Sequence, residues 1–217
     1  MANNIILRVV TIVIYLCVYT NVYAKSNVLE NYKQGNLAAK EEQYEEAIKY
    51  FNFAINEDNS FYKGYRNKGL ALARLGKYEE AIASYNLAIG ISNIDADIYN
   101  NKGIALDKLG KYQDAIQSYN KTIELNNTLS EPHSNKFCPL YNLKRYQEAL
   151  ETCDKAIALK PNRNDIYGVH TNRALALNKL ERHKEALEAA ETALKIMPNY
   201  ELAIQAKKCA VHQLNKD

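Results

Sequence analysis

Apolar residues beyond about position 28 recur with a helical period of about 3.6 residues, and no stretch alternates apolar and polar residues as a strand would. Five segments with this pattern align without gaps: YEEAIKYFNFAI (44–55), YEEAIASYNLAI (78–89), YQDAIQSYNKTI (112–123), YQEALETCDKAI (146–157) and HKEALEAAETAL (183–194). They start 34, 34, 34 and 37 residues apart. A second helical pattern precedes each segment, at 31–40, 65–74, 99–108, 133–142 and 170–179. The sequence therefore predicts five helical hairpins.

The last residues carry an apolar stripe of their own at helical spacing. Within 201–217 its members are Leu202, Ala203, Ala206, Cys209, Ala210 and Leu214. A repeat array must cover the apolar face of its last hairpin, so this segment is predicted to be a capping helix. The expected fold is all-α, with eleven helices.

Small and aromatic residues recur at fixed places within the hairpins. Gly69 and Gly103 lie inside first helices, where a small residue lets two helices approach to about 8–10 Å. Gly76 and Gly110 follow first helices and suit a left-handed C-cap. The aromatic residues predicted to fill the gap to the next hairpin are Phe51, Tyr85 and Tyr119.

A period of 34 residues with these positions resembles the tetratricopeptide repeat. The residues of the second copy that match most of the family signature are Tyr65, Gly69, Leu72, Ala81, Tyr85 and Ala88, with Asn93 where the family has proline. The resemblance covers about residues 28–200, with repeats at about 28–61, 62–95, 96–129, 130–163 and 167–200. It implies a right-handed α-solenoid of five hairpins plus the capping helix, with first helices lining a concave groove that binds a peptide or protein.

One polar residue type recurs on the predicted groove side of the first helices. Asparagine stands two residues before the small position in four repeats, at Asn67, Asn101, Asn135 and Asn172. An amide offers both a donor and an acceptor, so a column of asparagines can hydrogen-bond the backbone of an extended peptide. This resembles the asparagine ladder in the repeats of O-GlcNAc transferase. The alternative is that these are solvated residues inherited by duplication.

Cations accompany the asparagines. A column of them occupies Lys40, Arg74, Lys108 and Lys179. An acidic or phosphorylated segment would be favoured beside such a column, unless the cations form only a solvated face offset by nearby acids. The carboxylate clamp of chaperone-binding relatives is not expected, since Tyr32, Asp97 and Asn101 stand where its cations should be.

The fourth repeat departs from the pattern. Phe137 replaces the small residue of the first helix, Pro139 replaces alanine, and three extra residues precede the fifth repeat. Proline at 139 removes the helical hydrogen bond to the carbonyl of Asn135. Cys138 lies beside it on the predicted groove face. Either this is ordinary drift of a repeat, or it forms a local pocket.

The sequence contains no catalytic motif. It has no phosphate-binding glycine loop, no H-E-x-x-H and no G-x-S-x-G, so we expect no enzyme activity, cofactor or metal. A net charge of +3 is too mild to indicate nucleic-acid binding. The expected function is a scaffold that binds a peptide or protein. The alternative is a structural subunit of an envelope or secretion complex, binding through its convex face or edges.

The first 24 residues differ from the rest of the chain. Arg8 precedes an uncharged, mostly apolar run at 9–19, and Val22-Tyr23-Ala24 resembles a cleavage site. We expect a secretory signal peptide over 1–24, followed by a short lead-in at 25–27. The mature protein would then begin at Lys25, would be periplasmic or secreted, and would have no membrane span. The alternative is an uncleaved membrane anchor.

Three cysteines follow the predicted signal peptide. Cys153 and Cys209 are predicted to be buried, while the pairing of Cys138 is left open.

Overall fold

A computed structural model describes residues 27–162 and 165–216. These residues contain eleven helices and no strand, which confirms the all-α repeat fold. The helices are α1 (27–40), α2 (Tyr44–Glu57), α3 (Tyr62–Arg74), α4 (Tyr78–Ile91), α5 (Ala96–Lys108), α6 (Tyr112–Leu125), α7 (Glu131–Asn142), α8 (Tyr146–Ala158), α9 (Ile166–Lys179), α10 (His183–Ile196) and α11 (Glu201–Leu214). The predicted signal peptide (1–24) and residues 25–26 of the lead-in lie outside the described residues.

The chain divides into two compact units between Ile94 and Asp95. Unit 1 holds α1 to α4. Its core joins three successive helices through Ala38 of α1, Ala47 and Phe51 of α2, and Ala71 of α3. Alanine at three of these places lets the backbones approach, and the Phe51 ring fills the space that is left.

Unit 2 holds α5 to α11. Each helix packs on its neighbours in the chain, and the odd-numbered helices also contact one another, α5 with α7, α7 with α9 and α9 with α11. Its core is continuous from α6 to α11, with Leu140 and Leu177 wholly buried in it. The first helices of the hairpins therefore form one face of unit 2, together with the last helix.

An aromatic ring of each early hairpin packs directly on a glycine. A Cβ added to Gly35 would lie 2.5 Å from the Phe51 ring, and the same distance is 2.6 Å for Gly69 with Tyr85 and for Gly103 with Tyr119. Such distances leave no room for a methyl group. In the fourth hairpin the equivalent positions hold Phe137 and Cys153, both in the core of unit 2. The ring has moved to the first helix and the small residue to the second.

The turn inside each hairpin has one geometry. The residue two after the end of each first helix has a positive φ: Glu42 (61°), Gly76 (76°), Gly110 (71°), Lys144 (59°) and Glu181 (61°). The next N–H bonds back to the carbonyl five residues earlier, as from Lys77 to Leu72 at 2.9 Å, in a Schellman motif. The left-handed caps predicted at Gly76 and Gly110 are confirmed, and three non-glycine residues adopt the same conformation.

Helix α11 packs through a narrower stripe than the sequence pattern predicts. Ala203, Ala206 and Ala210 are buried, whereas Cys209 is exposed and Leu202 keeps 38% of its surface. The prediction that Cys209 is buried was wrong, because the stripe that meets α9 and α10 is only as wide as the alanines, and positions beside it face outward. Asn178 of α9 donates to the Ala206 carbonyl at 2.9 Å and holds this register.

Candidate functional site

The predicted ladder and its cations fall on two pockets, one in each unit. Asn67 and Arg74 line a pocket of about 290 Å³ in unit 1. Asn135, Asn172 and Lys108 line a pocket of about 510 Å³ in unit 2. Asn101 and Lys179 line neither of these two pockets. Of the eight residues in the predicted asparagine and cation columns, five line these pockets and three, Lys40 included, do not.

The amide of Asn67 is occupied within unit 1. It donates to the Tyr32 hydroxyl at 2.9 Å and to the Asn36 Oδ1 at 2.7 Å, and its own oxygen accepts from Arg66 Nε at 3.1 Å. Both donor hydrogens and the acceptor are therefore in use, and this asparagine links helices α1 and α3 rather than offering a free amide.

Asn135 repeats the same link in unit 2. Its Nδ2 donates to the Asn100 Oδ1 at 3.3 Å, across the same 35 residues that separate Asn67 from Tyr32. Asn100 in turn donates to the Glu131 carboxylate at 3.0 Å. Asn101 and Asn172, by contrast, make no side-chain hydrogen bond to another residue in the described ranges. Of the ladder residues that line a pocket, Asn172 is the one whose amide is available.

The pocket of unit 2 is built on the face of the first helices. Helix α5 contributes Ile104, Asp107 and Lys108, and α6 contributes Tyr119 from behind them. Helix α7 adds Glu131, Ser134, Asn135 and Cys138, and α9 adds Tyr167 and Asn172. Tyr200, just before α11, stacks edge-on against Tyr167 with ring centroids 4.9 Å apart. The irregular fourth repeat supplies the pocket's central wall.

The carboxylate of Asp107, on α5, is an unusual group in this pocket. It is partly buried and makes no salt bridge or hydrogen bond to another described side chain. Loss of hydration raises its pKa, and neighbouring Lys108 offsets this only in part. Loss of hydration at the thiol is also the first cause that raises the pKa of Cys138, although the residue as a whole is exposed, and Asp107 adds to it. The Cys138 thiol is therefore a protonated group at neutral pH.

Tyr119 completes the pocket floor. Its side chain exposes 1% of its surface, and its hydroxyl has no hydrogen-bond partner among the described residues. Burial is the first cause that raises the pKa of this hydroxyl, and the charges of Asp107 and Glu131, which line the same pocket, raise it further. The phenol is a neutral donor and acceptor that opens on the pocket.

Sequence analysis did not single out Asp107, Tyr167 or Tyr200 as pocket residues. The repeat position of Asp107 holds alanine in unit 1, at Ala39 and Ala73, so a change from apolar to charged was the available signal. The two tyrosines gave none, because Tyr167 occupies a repeat position whose residue type varies (Tyr62, Ala96, Ser130) and Tyr200 lies in the connection before α11.

The remaining chemistry-bearing residues do not assemble into a metal site. No group of three His, Cys, Asp or Glu that could hold a metal ion occurs in residues 27–162 and 165–216. The described cysteines are all free, with Cys153 buried as predicted and Cys138 exposed. His133 keeps 7% of its surface, and burial, with Lys136 and Lys155 nearby, lowers its pKa.

In the described part of the chain, no helix is long and apolar enough to span a membrane.

Solved structures of other proteins share this fold. YrrB, described as a TPR protein with an unusual peptide-binding site, is 24% identical with a TM-score of 0.71, over 82% of this chain and 90% of its own. MamA is 18% identical with a TM-score of 0.72, over 79% and 92%. A tetratricopeptide repeat protein from Parabacteroides merdae is 18% identical with a TM-score of 0.73, over 88% and 75%. Among curated proteins, no sequence matches.

Family models give the same result from sequence. Three models of the tetratricopeptide repeat match, one over residues 32–93, one over 96–129 and one over 140–163 and 167–206. The matches run through both units and include α8 and part of α11, but they leave out residues 130–139, which hold most of α7 in the irregular fourth hairpin. Because the models, the 34-residue period and the shared turn geometry agree, the chain belongs to the tetratricopeptide-repeat family.

Proposed function

We propose that the chain is an exported scaffold that binds a peptide or a protein segment on its first helices and catalyses nothing. The observation that carries the proposal is the pocket of unit 2, where the Asn172 amide and the Tyr119 phenol have no hydrogen-bond partner among residues 27–162 and 165–216. An extended peptide backbone presents an N–H and a C=O at every residue, and the Asn172 amide can pair with both kinds of group.

The amides do not contribute equally to this proposal. Asn67 and Asn135 bond to the preceding first helix, so replacing them with alanine would disturb the fold as well as any bound peptide. Asn172 and Asn101 occupy the same repeat position without such bonds, but Asn172 lines the pocket and Asn101 does not. They form a matched pair of test and control.

The first experiment pans the immobilised full chain against phage that display random dodecapeptides, and measures a selected peptide by calorimetry. Asn172→Ala is expected to weaken binding about three- to tenfold, the worth of one net hydrogen bond. Asn101→Ala should leave the affinity unchanged, and circular dichroism should show equal helix content in both. Equal affinities for the wild type and Asn172→Ala would place peptide binding elsewhere.

An acidic segment remains the proposed partner for the cationic column. Arg74 lines the unit 1 pocket, Lys108 stands at the edge of the unit 2 pocket, and Lys179 follows on α9. Charge reversal at Arg74 should slow association with an acidic peptide and reduce its salt dependence, because rim charges act mostly on the on-rate. An unchanged salt dependence would contradict this.

The alternative is a structural subunit that docks through the second helices or the edges. It is favoured by Phe53 and Leu87, which occupy the same repeat position on α2 and α4 and expose 54% and 56% of their surfaces. Under this alternative, Phe53→Glu with Leu87→Glu would abolish capture of the native partner while Asn172→Ala would not. The reverse result favours the pocket.

Export is proposed from the N-terminal sequence alone. If residues 1–24 are a cleaved signal peptide, N-terminal sequencing of the natively expressed protein should read from Lys25. Recovery of the intact N-terminus from a membrane fraction would favour the anchored form instead.

A further inference from the structure

The unit 2 pocket carries the opposite charge to the cationic column. Among the described residues that line it, the carboxylates are those of Asp107, Glu131 and Asp165, and the one cation is Lys108, whose side chain is exposed. Lys108 forms no salt bridge with any described carboxylate. The described lining therefore carries three carboxylates against one cation, with Asp107 partly buried and Glu131, Asp165 and Lys108 exposed.

From this arrangement we infer that the pocket receives a cationic side chain, that of an arginine in the bound peptide. The inference rests on the proposed peptide-binding function and specifies which residue the pocket selects. A guanidinium has five donors in a planar fork, which suits several acceptors converging on one space.

Three neighbouring groups would accept from the fork. Asp107 is partly buried and bonds to no other described side chain, so an incoming cation would offset the cost of its lost hydration. The Glu131 carboxylate is fixed by the Asn100 amide and keeps its other acceptor sites. The Tyr119 side chain is 1% exposed and lines the pocket together with both carboxylates, and its hydroxyl has no partner among the described residues, so it can accept from a polar ligand in the pocket.

The aromatic side of the pocket favours a guanidinium over other cations. Tyr167 and Tyr200 meet edge to face at 77°, so that one ring holds the other in place at the pocket wall. A planar guanidinium can stack its face on such a ring and at the same time donate hydrogen bonds from its edge. A peptide carboxylate would instead face three groups of its own sign.

The test uses three pools of acetylated, amidated, fluorescein-labelled nonapeptides with randomised uncharged flanks. Their central residue is arginine, citrulline or glutamate; citrulline has nearly the shape of arginine and no charge. Fluorescence anisotropy against the full chain should give at least about tenfold tighter binding for the arginine pool than for the citrulline pool. Asp107→Asn should lower that ratio about tenfold, and the matched control Asp114→Asn, an exposed charge on α6, should not change it.

The outcomes separate this inference from the function on which it rests. Equal binding of the arginine and citrulline pools, tighter binding of the glutamate pool, or an unchanged ratio in Asp107→Asn would each overturn the inference. If Asn172→Ala still weakens all pools in those cases, the peptide-binding function stands. If no pool binds the full chain, both fail together.

Discussion

Individual residues of this fold can be compared across repeats, so that one hairpin serves as the control for another. Tyr85 and Tyr119 occupy the same repeat position and pack on equivalent glycines, with almost no exposed surface. They differ in their hydroxyls. The Tyr85 oxygen is buried without any hydrogen-bond partner, whereas the Tyr119 oxygen opens on the unit 2 pocket.

Removing the hydroxyl should therefore change the free energy of unfolding differently at the two tyrosines. Tyr85→Phe removes an unsatisfied buried polar atom and keeps the ring, so it should raise the free energy of unfolding by about 1 kcal/mol. Tyr119→Phe should change stability little, because its oxygen is not fully sealed from water. Urea denaturation measures both, and a loss of stability in Tyr85→Phe would mean that the hydroxyl has a partner after all.

The turns allow a second comparison. Lys144 stands where Gly76 and Gly110 stand in other hairpins, with a φ of 59°. A residue with a side chain pays about 1–2 kcal/mol relative to glycine to adopt this left-handed conformation. Replacing it with glycine recovers only part of that energy, because glycine has more conformational entropy in the unfolded chain. Lys144→Gly should therefore stabilise the protein by about 0.5–1 kcal/mol, while Gly76→Ala should destabilise it. Thermal melts decide this, and a lower melting temperature for Lys144→Gly would contradict it.

At the scale of helices, the fourth hairpin fills the same space with the ring and the small residue on opposite helices. The ring is Phe137 on the first helix, and the small residue is Cys153 on the second. Phe137→Ala alone should cost about 3–5 kcal/mol through the cavity it leaves, and Cys153→Phe alone should cost about 1–3 kcal/mol through overpacking. The double variant restores the ring-on-second-helix arrangement of the earlier hairpins. It should be more stable than the sum of the single changes by about 1–3 kcal/mol. Simple additivity in a denaturation cycle would show that the two positions do not share one space.

Sequence periodicity predicted the helices well because packing repeats every 34 residues. The second helices begin at Tyr44, Tyr78, Tyr112, Tyr146 and His183, where the aligned segments begin. It could not predict that Asn67 and Asn135 bond to the preceding first helix. That bond depends on the register between helices 35 residues apart, and neither partner type, Tyr32 or Asn100, is constant. Nor could it bring Asp107 and Tyr119 to one pocket, since that pocket is lined by residues of α5, α6, α7 and α9 together.

At the scale of the whole molecule, α11 closes the core of unit 2. Its alanines meet α9 and α10, and Lys207 pairs with Glu191 of α10 at 2.9 Å. Removing residues 201–217 would uncover buried alanines of α10 such as Ala190. The truncated chain should unfold at lower urea concentration and aggregate, because each repeat relies on its neighbour for burial. Light scattering and denaturation test this, and a monomer of unchanged stability would remove the capping role from α11.

The exchanged pair in the fourth hairpin also limits how such a gene can recombine. If two repeats of the gene recombined at the turn inside a hairpin, the products would join α5 to α8, or α7 to α6. The first product sets Gly103 against Cys153 and leaves a void, and the second sets Phe137 against Tyr119, two rings in a space made for one. A crossover between hairpins carries both residues together and avoids either fault. Copies of this repeat are therefore expected to be gained or lost with breakpoints between hairpins, and α7 and α8 to be inherited as one block.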